Sequence, residues 1–114
     1  MTPALKTVIY PVKDLAQAKK LYGTLLGVEP IMDEVYYVQF NTAHQQIGLD
    51  PKGHSKGMTG SVCYWPVEDI KESVAQLLEA GAMEQQAVSD VGGGTLIALV
   101  KDADGNVIGL IQTP

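Results

Sequence analysis

Two related stretches of sequence decide the fold: PVKDL at residues 11–15 and PVEDI at residues 66–70. Each follows an apolar run that is rich in β-branched and aromatic residues, which is typical of a strand. Asp14 and Asp69 then precede a segment in which apolar residues recur at helical spacing. An aspartate in this place favours a helix start, because its carboxylate accepts a hydrogen bond from a free N–H group of the first turn. The chain therefore contains the same strand-to-helix junction twice.

Both junctions also predict a capping box, in which the cap residue and the third helical residue bond to each other. Gln17 lies three residues after Asp14, and Glu72 lies three residues after Asp69. A side chain at this position can accept a hydrogen bond from the backbone N–H of the cap. Two boxes at matching places indicate a duplicated module. We therefore interpret the rest of the chain as two copies of one module.

The first copy predicts one helix and at least three strands. Residues 6–12 form the first strand, and apolar residues at helical spacing from Leu15 onward predict a helix that closes at Gly27. Residues 36–40 are aromatic and β-branched, which predicts a strand, and residues 45–50 return as its hairpin partner. The residues just before this hairpin are either a short strand or the approach to it.

The second copy repeats this order. We expect a strand at residues 61–67, a helix at 69–80, a short strand around 84–88, and a final hairpin made by 95–100 and 106–112. The two copies give an α+β fold of two βαβββ modules that form a curved mixed sheet.

The length fits one domain built from two halves. We place module one at residues 1–50, a linker rich in glycine at 51–60, and module two at 61–114, within a single domain at 1–114. Modules of about 55 residues bury too little surface to be stable alone, so we expect them to share a core.

Composition and charge exclude several classes of protein. The 114 residues carry a net charge of −5, and the basic residues are all lysines that are scattered along the chain. Nucleic-acid binding needs a concentrated basic surface, so we expect no nucleic-acid partner. No apolar run approaches the roughly 20 residues of a membrane span, and the first residues lack the pattern of a signal peptide. We expect a cytoplasmic protein without a membrane partner, in which the single cysteine, Cys63, is a buried hydrophobic residue.

These patterns resemble the vicinal oxygen chelate superfamily, which includes glyoxalase I, extradiol dioxygenases, and the fosfomycin and bleomycin resistance proteins. The resemblance covers nearly the whole chain. It rests on the repeated Val-x-Asp-Leu/Ile junction, on Leu-Leu-Gly at residues 25–27, and on DADGN at 102–106 followed by Ile-Gly-Leu at 108–110. It implies the curved-sheet fold directly, whereas function depends on the site residues.

The resemblance implies a metal site in the catalytic members, but the donor atoms are missing here. The ligand positions of the family fall on Thr7 and Gly48 in the first half and on Val62 and Gly109 in the second. A divalent ion needs oxygen, nitrogen or sulfur donors, and these four residues offer one hydroxyl group. We therefore predict no metal, no cofactor and no catalytic residue. The two glycines either leave room in a cavity or mark close packing, and the sequence leaves both interpretations open.

Other potential ligands are explained better by loops. His44 lies in a predicted hairpin turn and His54 in the linker, so both are expected to be solvated. Residues 102–106 resemble a calcium loop only in part, because Val107 stands where the loop needs glycine. The Asp-Gly pair there favours a tight hairpin turn.

Alternation along the strands predicts which side chains line a ligand site, because successive side chains point to opposite faces. The resulting site is apolar and aromatic with a few polar groups, as in many small-molecule pockets. One of the two adjacent tyrosines 36 and 37 must point inward, and the alternation does not decide which. The predicted ligand-binding residues are Thr7, Ile9, Tyr36, Tyr37, Gln46, Gly48, Asp50, Tyr64, Gly109 and Ile111.

The residues and the resemblance together favour a metal-independent binding protein that sequesters an aromatic or cationic compound, as the bleomycin resistance proteins do. Asp50 would attract a cationic group. The resemblance also implies a homodimer. One alternative is a lyase, isomerase or dioxygenase-related enzyme in which a tyrosine or Asp50 acts as acid or base; another is a structural or regulatory subunit without a ligand.

Overall fold

The chain has the element order of two βαβββ repeats, seen in a computed structural model that describes residues 5–114. The described chain divides into two compact units, which are Lys6–Val62 and Cys63–Pro114 with Leu5. We refer to them as the first unit and the second unit. The α+β class and the repeated order confirm the fold predicted from the two junctions.

The first unit has a four-stranded mixed sheet in the order β2-β3-β4-β1. Strands β1 and β4 are parallel, and the other neighbours are antiparallel. A short strand does precede the hairpin, which settles the question left open by the sequence. The elements are β1 (Thr7–Pro11), α1 (Leu15–Leu26), β2 (Met32–Glu34), β3 (Tyr37–Asn41) and β4 (Gln46–Asp50), followed by a 3-10 turn at His54–Lys56.

The second unit repeats this sheet in the order β5-β8-β7-β6. Strands β5 and β8 are parallel, and the other neighbours are antiparallel. The strand after the helix is longer than predicted, and its pairing with the next strand contains two irregularities. The elements are β5 (Val62–Pro66), α2 (Ile70–Glu79), β6 (Met83–Asp90), β7 (Leu96–Lys101) and β8 (Val107–Gln112).

Both helices begin at the predicted aspartates. An oxygen of Asp14 accepts a hydrogen bond from the backbone N–H of Gln17 at 3.0 Å, and Asp69 accepts one from Glu72 at 3.1 Å. The return bond of the capping box is not formed at either site within residues 5–114. At the second site, Glu72 Oε1 instead accepts from Gln76 Nε2 at 3.5 Å. The prediction of the caps was therefore right, and the prediction of complete capping boxes was wrong.

Each sheet is covered on one face by the helix of its own unit. In the first unit Val38, Phe40 and Leu49 are completely buried, and side chains of β1 and α1, such as Tyr10 and Tyr22, pack around them. The corresponding cluster of the second unit contains Ile70, Val74, Ala98, Val100 and Leu110. Because strand side chains alternate, these buried residues fix which side chains of the same strands lie on the opposite face.

Trp65 pairs in register with the buried Leu110 and is 36% exposed. One expectation about β5 was wrong. Cys63 was expected to be buried and is half-buried.

No helix within residues 5–114 combines the length and the apolar character that crossing a membrane requires.

Candidate functional site

The sheet of the first unit has a face opposite α1 on which most of the predicted site residues meet. Pairing in register places Thr7 beside Gln46 and Ile9 beside Gly48. Antiparallel pairing brings β3 onto the same surface by placing Gln39 beside Gly48. We call this surface the polar face. It consists of Thr7, Ile9, Tyr37, Gln39, Asn41, Gln46, Gly48 and Asp50.

Tyr37 lies directly over Gly48. A Cβ atom added at Gly48 would overlap the Tyr37 hydroxyl group, and it would lie 2.8 Å from Tyr37 Cε1 and 2.6 Å from Ile9 Cδ1. The glycine is therefore needed so that the tyrosine ring can rest on the backbone of β4. Of the two interpretations left open for this glycine, close packing is the one that describes it.

Tyr37, rather than Tyr36, belongs to the polar face. Tyr36 precedes β3, in the turn that follows β2, and it is 57% exposed. The alternation of β3 begins only at Tyr37, which is half-buried on the side opposite Val38.

A chain of hydrogen bonds runs along β3 on this face. The Tyr37 hydroxyl group donates to Gln39 Oε1 at 3.1 Å, and Gln39 Nε2 donates to Asn41 Oδ1 at 2.9 Å. Gln39 and Asn41 are not among the residues predicted from the sequence. The alternation of Tyr37, Gln39 and Asn41 with the apolar Val38 and Phe40 would have identified both, once the start of the strand was known.

Thr7 and Gln46 form a second polar pair on adjacent strands. Thr7 Oγ1 donates to Gln46 Oε1 at 2.8 Å, and Thr7 is only 5% exposed. The hydroxyl group of Thr7, at the first ligand position of the family, is thus bonded to a neighbouring amide.

Asp50 lies at the end of β4, and both of its carboxylate oxygens have partners in the segment that follows. Oδ1 accepts from the backbone N–H of Lys52 at 2.9 Å, and Oδ2 pairs with Lys56 Nζ at 2.8 Å. The Asp50 side chain is 13% exposed, whereas that of Lys56 is 63% exposed. These contacts tie the 3-10 turn to the end of the strand, which is a structural task that the sequence analysis did not anticipate.

The second unit repeats the arrangement of tyrosine over glycine. Tyr64 pairs in register with Gly109, and the neighbouring Ile111 pairs with Pro66. A Cβ atom at Gly109 would lie 2.7 Å from Tyr64 Cδ1 and 2.9 Å from the carbonyl oxygen of Cys63. Tyr64, Gly109 and Ile111 therefore share one face of the second unit, and close packing again describes the glycine.

The side chains at the four family ligand positions do not fit a divalent ion. The hydroxyl group of Thr7 donates to an amide, Val62 is an apolar residue with 6% exposure, and a tyrosine covers each of the two glycines. Within residues 5–114, no three His, Cys, Asp or Glu side chains are grouped so that they could hold a metal ion. His44 and His54 are exposed, as predicted.

The loop after β7 is a hydrogen-bonded turn. Asp102 Oδ1 accepts from the backbone N–H groups of Asp104 and Asn106, both at 2.9 Å, and Oδ2 accepts from Asn106 Nδ2 at 2.9 Å. Gly105 adopts φ 84°, a conformation that favours glycine, and its N–H donates to the Asp102 carbonyl group at 3.1 Å. Residues 102–106 therefore form a tight turn, as predicted from the Asp-Gly pair.

These bonds hold the pKa of Asp102 below its ordinary value of 3.8, with the side-chain bond from Asn106 as the largest cause. We expect Asn106→Ala to raise this pKa toward 3.8, measured by NMR titration of the carboxyl carbon. Because the folded pKa is depressed, the stabilisation by Asp102 is complete above the ordinary pKa and is lost as the pH falls through the folded value. An unchanged titration midpoint in Asn106→Ala would contradict this assignment.

A separate groove of about 400 Å³ lies beside α1 in the first unit. Its lining includes Gly23, Lys20 and Pro30, on the helix side of the sheet. None of the predicted site residues lines it. The groove and the polar face are therefore different surfaces of the first unit. The hydrogen-bonded polar side chains of the candidate site lie on the polar face.

Residues 4–110 match the family model described as the Glyoxalase/Bleomycin resistance protein/Dioxygenase superfamily. No curated protein matches the chain in sequence.

Solved structures similar to this chain come from several bacteria. A glyoxalase/bleomycin resistance protein/dioxygenase superfamily member from Vibrio splendidus has a TM-score of 0.72 at 15% identity and covers 96% of this chain and 99% of its own. A hypothetical protein from Bacillus halodurans has a TM-score of 0.79 at 15% identity, with coverage of 97% and 94%. A Streptomyces coelicolor methylmalonyl-CoA epimerase in complex with 2-nitronate-propionyl-CoA has a TM-score of 0.74 at 15% identity, with coverage of 99% and 96%. At these identities the similarity shows the fold alone.

Proposed function

The chain belongs to the glyoxalase/bleomycin resistance protein/dioxygenase superfamily, and from this premise we propose that it is a metal-independent binding protein for a small aromatic molecule. The observation that carries the proposal is the position of Tyr37 over Gly48. Where the family resemblance implies a metal ligand, this chain has an aromatic ring lying on a strand. The site that results offers stacking and hydrogen bonding.

The surroundings of Tyr37 support this proposal. The ring lies beside the aliphatic side chain of Ile9, and amide groups of Gln39 and Asn41 follow it along the same strand. An aromatic and apolar surface with a few placed polar groups is the usual composition of a small-molecule site. Ring stacking against a tyrosine adds about 0.5–1.5 kcal/mol beyond the area that is buried.

The contacts of Asp50 favour an aromatic ligand over a cationic one. The pairing of its carboxylate with Lys56 and with the backbone of Lys52 uses both oxygens. A ligand ammonium group would have to displace Lys56 before it could bind there. We therefore propose neither that Asp50 attracts a cation nor that it acts as an acid or base.

The proposal keeps three expectations from the sequence: a cytoplasmic location, a homodimer, and a role in resistance to a toxic compound. Cell fractionation, light scattering of the purified protein and growth assays with a panel of antibiotics test them separately.

Binding can be tested with four naphthalene derivatives that differ in one substituent: 2-acetonaphthone, 2-naphthoate, 2-naphthylmethylammonium and 2-ethylnaphthalene. The full-length protein is treated with EDTA, and binding is followed by NMR shifts of backbone amides. We expect at least one compound to bind with shifts on β3 and β4. Tyr37→Ala should weaken this binding about fivefold, because the stacking surface is lost.

Tyr36→Ala is the matched control, since it removes the same side chain one position away and outside the polar face. It should leave the affinity unchanged. Equal losses in the two variants, or binding that disappears in EDTA and returns with a divalent ion, would contradict the proposal.

A further inference from the structure

The hydrogen bonds along β3 have a direction, and this direction determines what the polar face can offer to a ligand. Tyr37 donates to the carbonyl oxygen of the Gln39 side chain, so the amide nitrogen of Gln39 is turned toward Asn41 and donates to it. The side-chain oxygen of Asn41 is therefore occupied. Within residues 5–114, Asn41 Nδ2 donates to no other group, and Asn41 is only half-buried.

The polar pair on β1 and β4 also includes an amide whose oxygen accepts a hydrogen bond and whose nitrogen has no acceptor in the described chain. Thr7 Oγ1 donates to Gln46 Oε1 at 2.8 Å, so the amide oxygen of Gln46 is turned toward Thr7 and the nitrogen is the other end of the amide. An amide nitrogen carries two N–H donors and no acceptor. In the part of the chain that the structure describes, Gln46 Nε2 has no acceptor, and the residue is half-buried.

These two unused donors lie next to each other. Asn41 and Gln46 are partners in the register of β3 and β4, so their side chains project from the same face. Directly opposite residues in an antiparallel pair have Cβ atoms about 4.5–5.5 Å apart. The end of the polar face therefore presents a pair of neutral N–H donors to one ligand group.

The charges around this donor pair favour an uncharged acceptor. Asp50, the charged residue of the polar face, is already neutralised by Lys56. Glu34, which is exposed on β2, lies in register with Tyr37, so both carboxylates lie at the Tyr37 end of the sheet, away from Asn41 and Gln46. An anionic ligand group at the donor pair would find no cation among the residues of the polar face, and an ammonium group would meet donors rather than acceptors.

We propose that the polar face of the first unit binds an uncharged aromatic carbonyl compound, whose carbonyl oxygen accepts hydrogen bonds from Asn41 Nδ2 and Gln46 Nε2. This inference rests on the proposed function and names the ligand class for the same site. A ketone, amide, lactam or ester oxygen has the lone pairs for two donors, and the attached ring then lies toward Tyr37.

The four naphthalene derivatives separate this inference from the proposed function, because they share the ring and differ in the attached group. We expect 2-acetonaphthone to bind about tenfold more tightly than 2-ethylnaphthalene, since two hydrogen bonds are gained, and more tightly than either charged compound. The dissociation constants come from the same NMR titrations, with shifts that include the side-chain NH₂ signals of Asn41 and Gln46.

Gln46→Glu and Asn41→Asp test the donors, because each keeps the shape of the side chain and replaces N–H donors with an acceptor oxygen. Each variant should remove most of the preference for the ketone over 2-ethylnaphthalene and should improve the relative affinity for 2-naphthylmethylammonium. Gln85→Glu adds the same charge at an exposed position of the second unit, and it should leave the ranking of the compounds unchanged.

Several results would overturn the inference. Tighter binding of 2-naphthoate, 2-naphthylmethylammonium or 2-ethylnaphthalene in a Tyr37-dependent manner would refute the carbonyl class while leaving the proposed function intact. A ranking that is the same in wild type, Gln46→Glu and Asn41→Asp would do so as well. If none of the four compounds binds, the proposed function fails together with the inference.

Discussion

Gly109→Ala is expected to lower the free energy of unfolding by about 3 kcal/mol, near the upper end of the usual cost of overpacking. The added methyl group would lie 2.9 Å from the carbonyl oxygen of Cys63 and 2.9 Å from Tyr64 Cγ. The main-chain oxygen cannot move away by a side-chain rotation, and Tyr64 Cγ moves only if χ1 of the tyrosine changes. The strand pair β5 and β8 must separate instead, which urea unfolding will record as a lower midpoint at constant slope.

Gly48→Ala is the matched comparison, because its obstacles are ends of side chains. The new methyl group meets the outer ring of Tyr37 and Ile9 Cδ1. We expect a loss of about 2 kcal/mol that the double variant Gly48→Ala/Tyr37→Ala largely recovers, as a strong coupling in a double-mutant cycle. Tyr64→Ala should not rescue Gly109→Ala, since the Cys63 oxygen remains. Equal rescue in both units would show that the backbone contact is unimportant.

Phe40→Ala is expected to cost about 3–5 kcal/mol, which is a large share of the total stability of a small domain. Phe40 is completely buried between β3 and α1, together with Val38 and Leu49. Truncation removes its apolar surface and leaves a cavity that the rigid sheet closes only in part. Phe40→Leu keeps most of the volume and should cost less than about 1.5 kcal/mol.

Leu25→Ala is the control for this prediction, because Leu25 lies on the same unit and is 73% exposed. Its expected effect is within about 0.5 kcal/mol, as for most surface substitutions. Urea unfolding followed by circular dichroism compares the three variants. A Phe40→Ala midpoint as high as that of Leu25→Ala would contradict the assignment of the core.

The sequence was informative about the fold because the repeated junction combines several independent signals. A strand-like run, a capping aspartate and helical spacing agree at both copies, and the observed caps at Asp14 and Asp69 follow from local chemistry. The capping boxes were predicted less well, since a side chain on the helix surface has alternative partners. Glu72 shows this, as it bonds to Gln76 one turn along the helix.

The candidate site was harder to predict because it depends on where each strand begins. Tyr36 and Tyr37 have the same chemistry, and only the start of β3 after the turn puts Tyr37 on the polar face. Gln39 and Asn41 were missed for the same reason. The pairing of Asp50 with Lys56 depends on a 3-10 turn in a segment without periodicity, so sequence alone gave no sign of it. Whether these residues bind a ligand stays a prediction.

The contact between Tyr37 and Gly48 couples the substitutions that are tolerated at these two positions. A descendant lineage that acquires a donor side chain at position 48 must first lose the ring at position 37, because the opposite order passes through an overpacked intermediate. At position 109, losing the Tyr64 ring first does not make room for a side chain, since the carbonyl oxygen of Cys63 blocks the Cβ atom of any side chain. Acquisition of metal binding at these positions would thus be obstructed by epistasis, more strongly in one repeat than in the other.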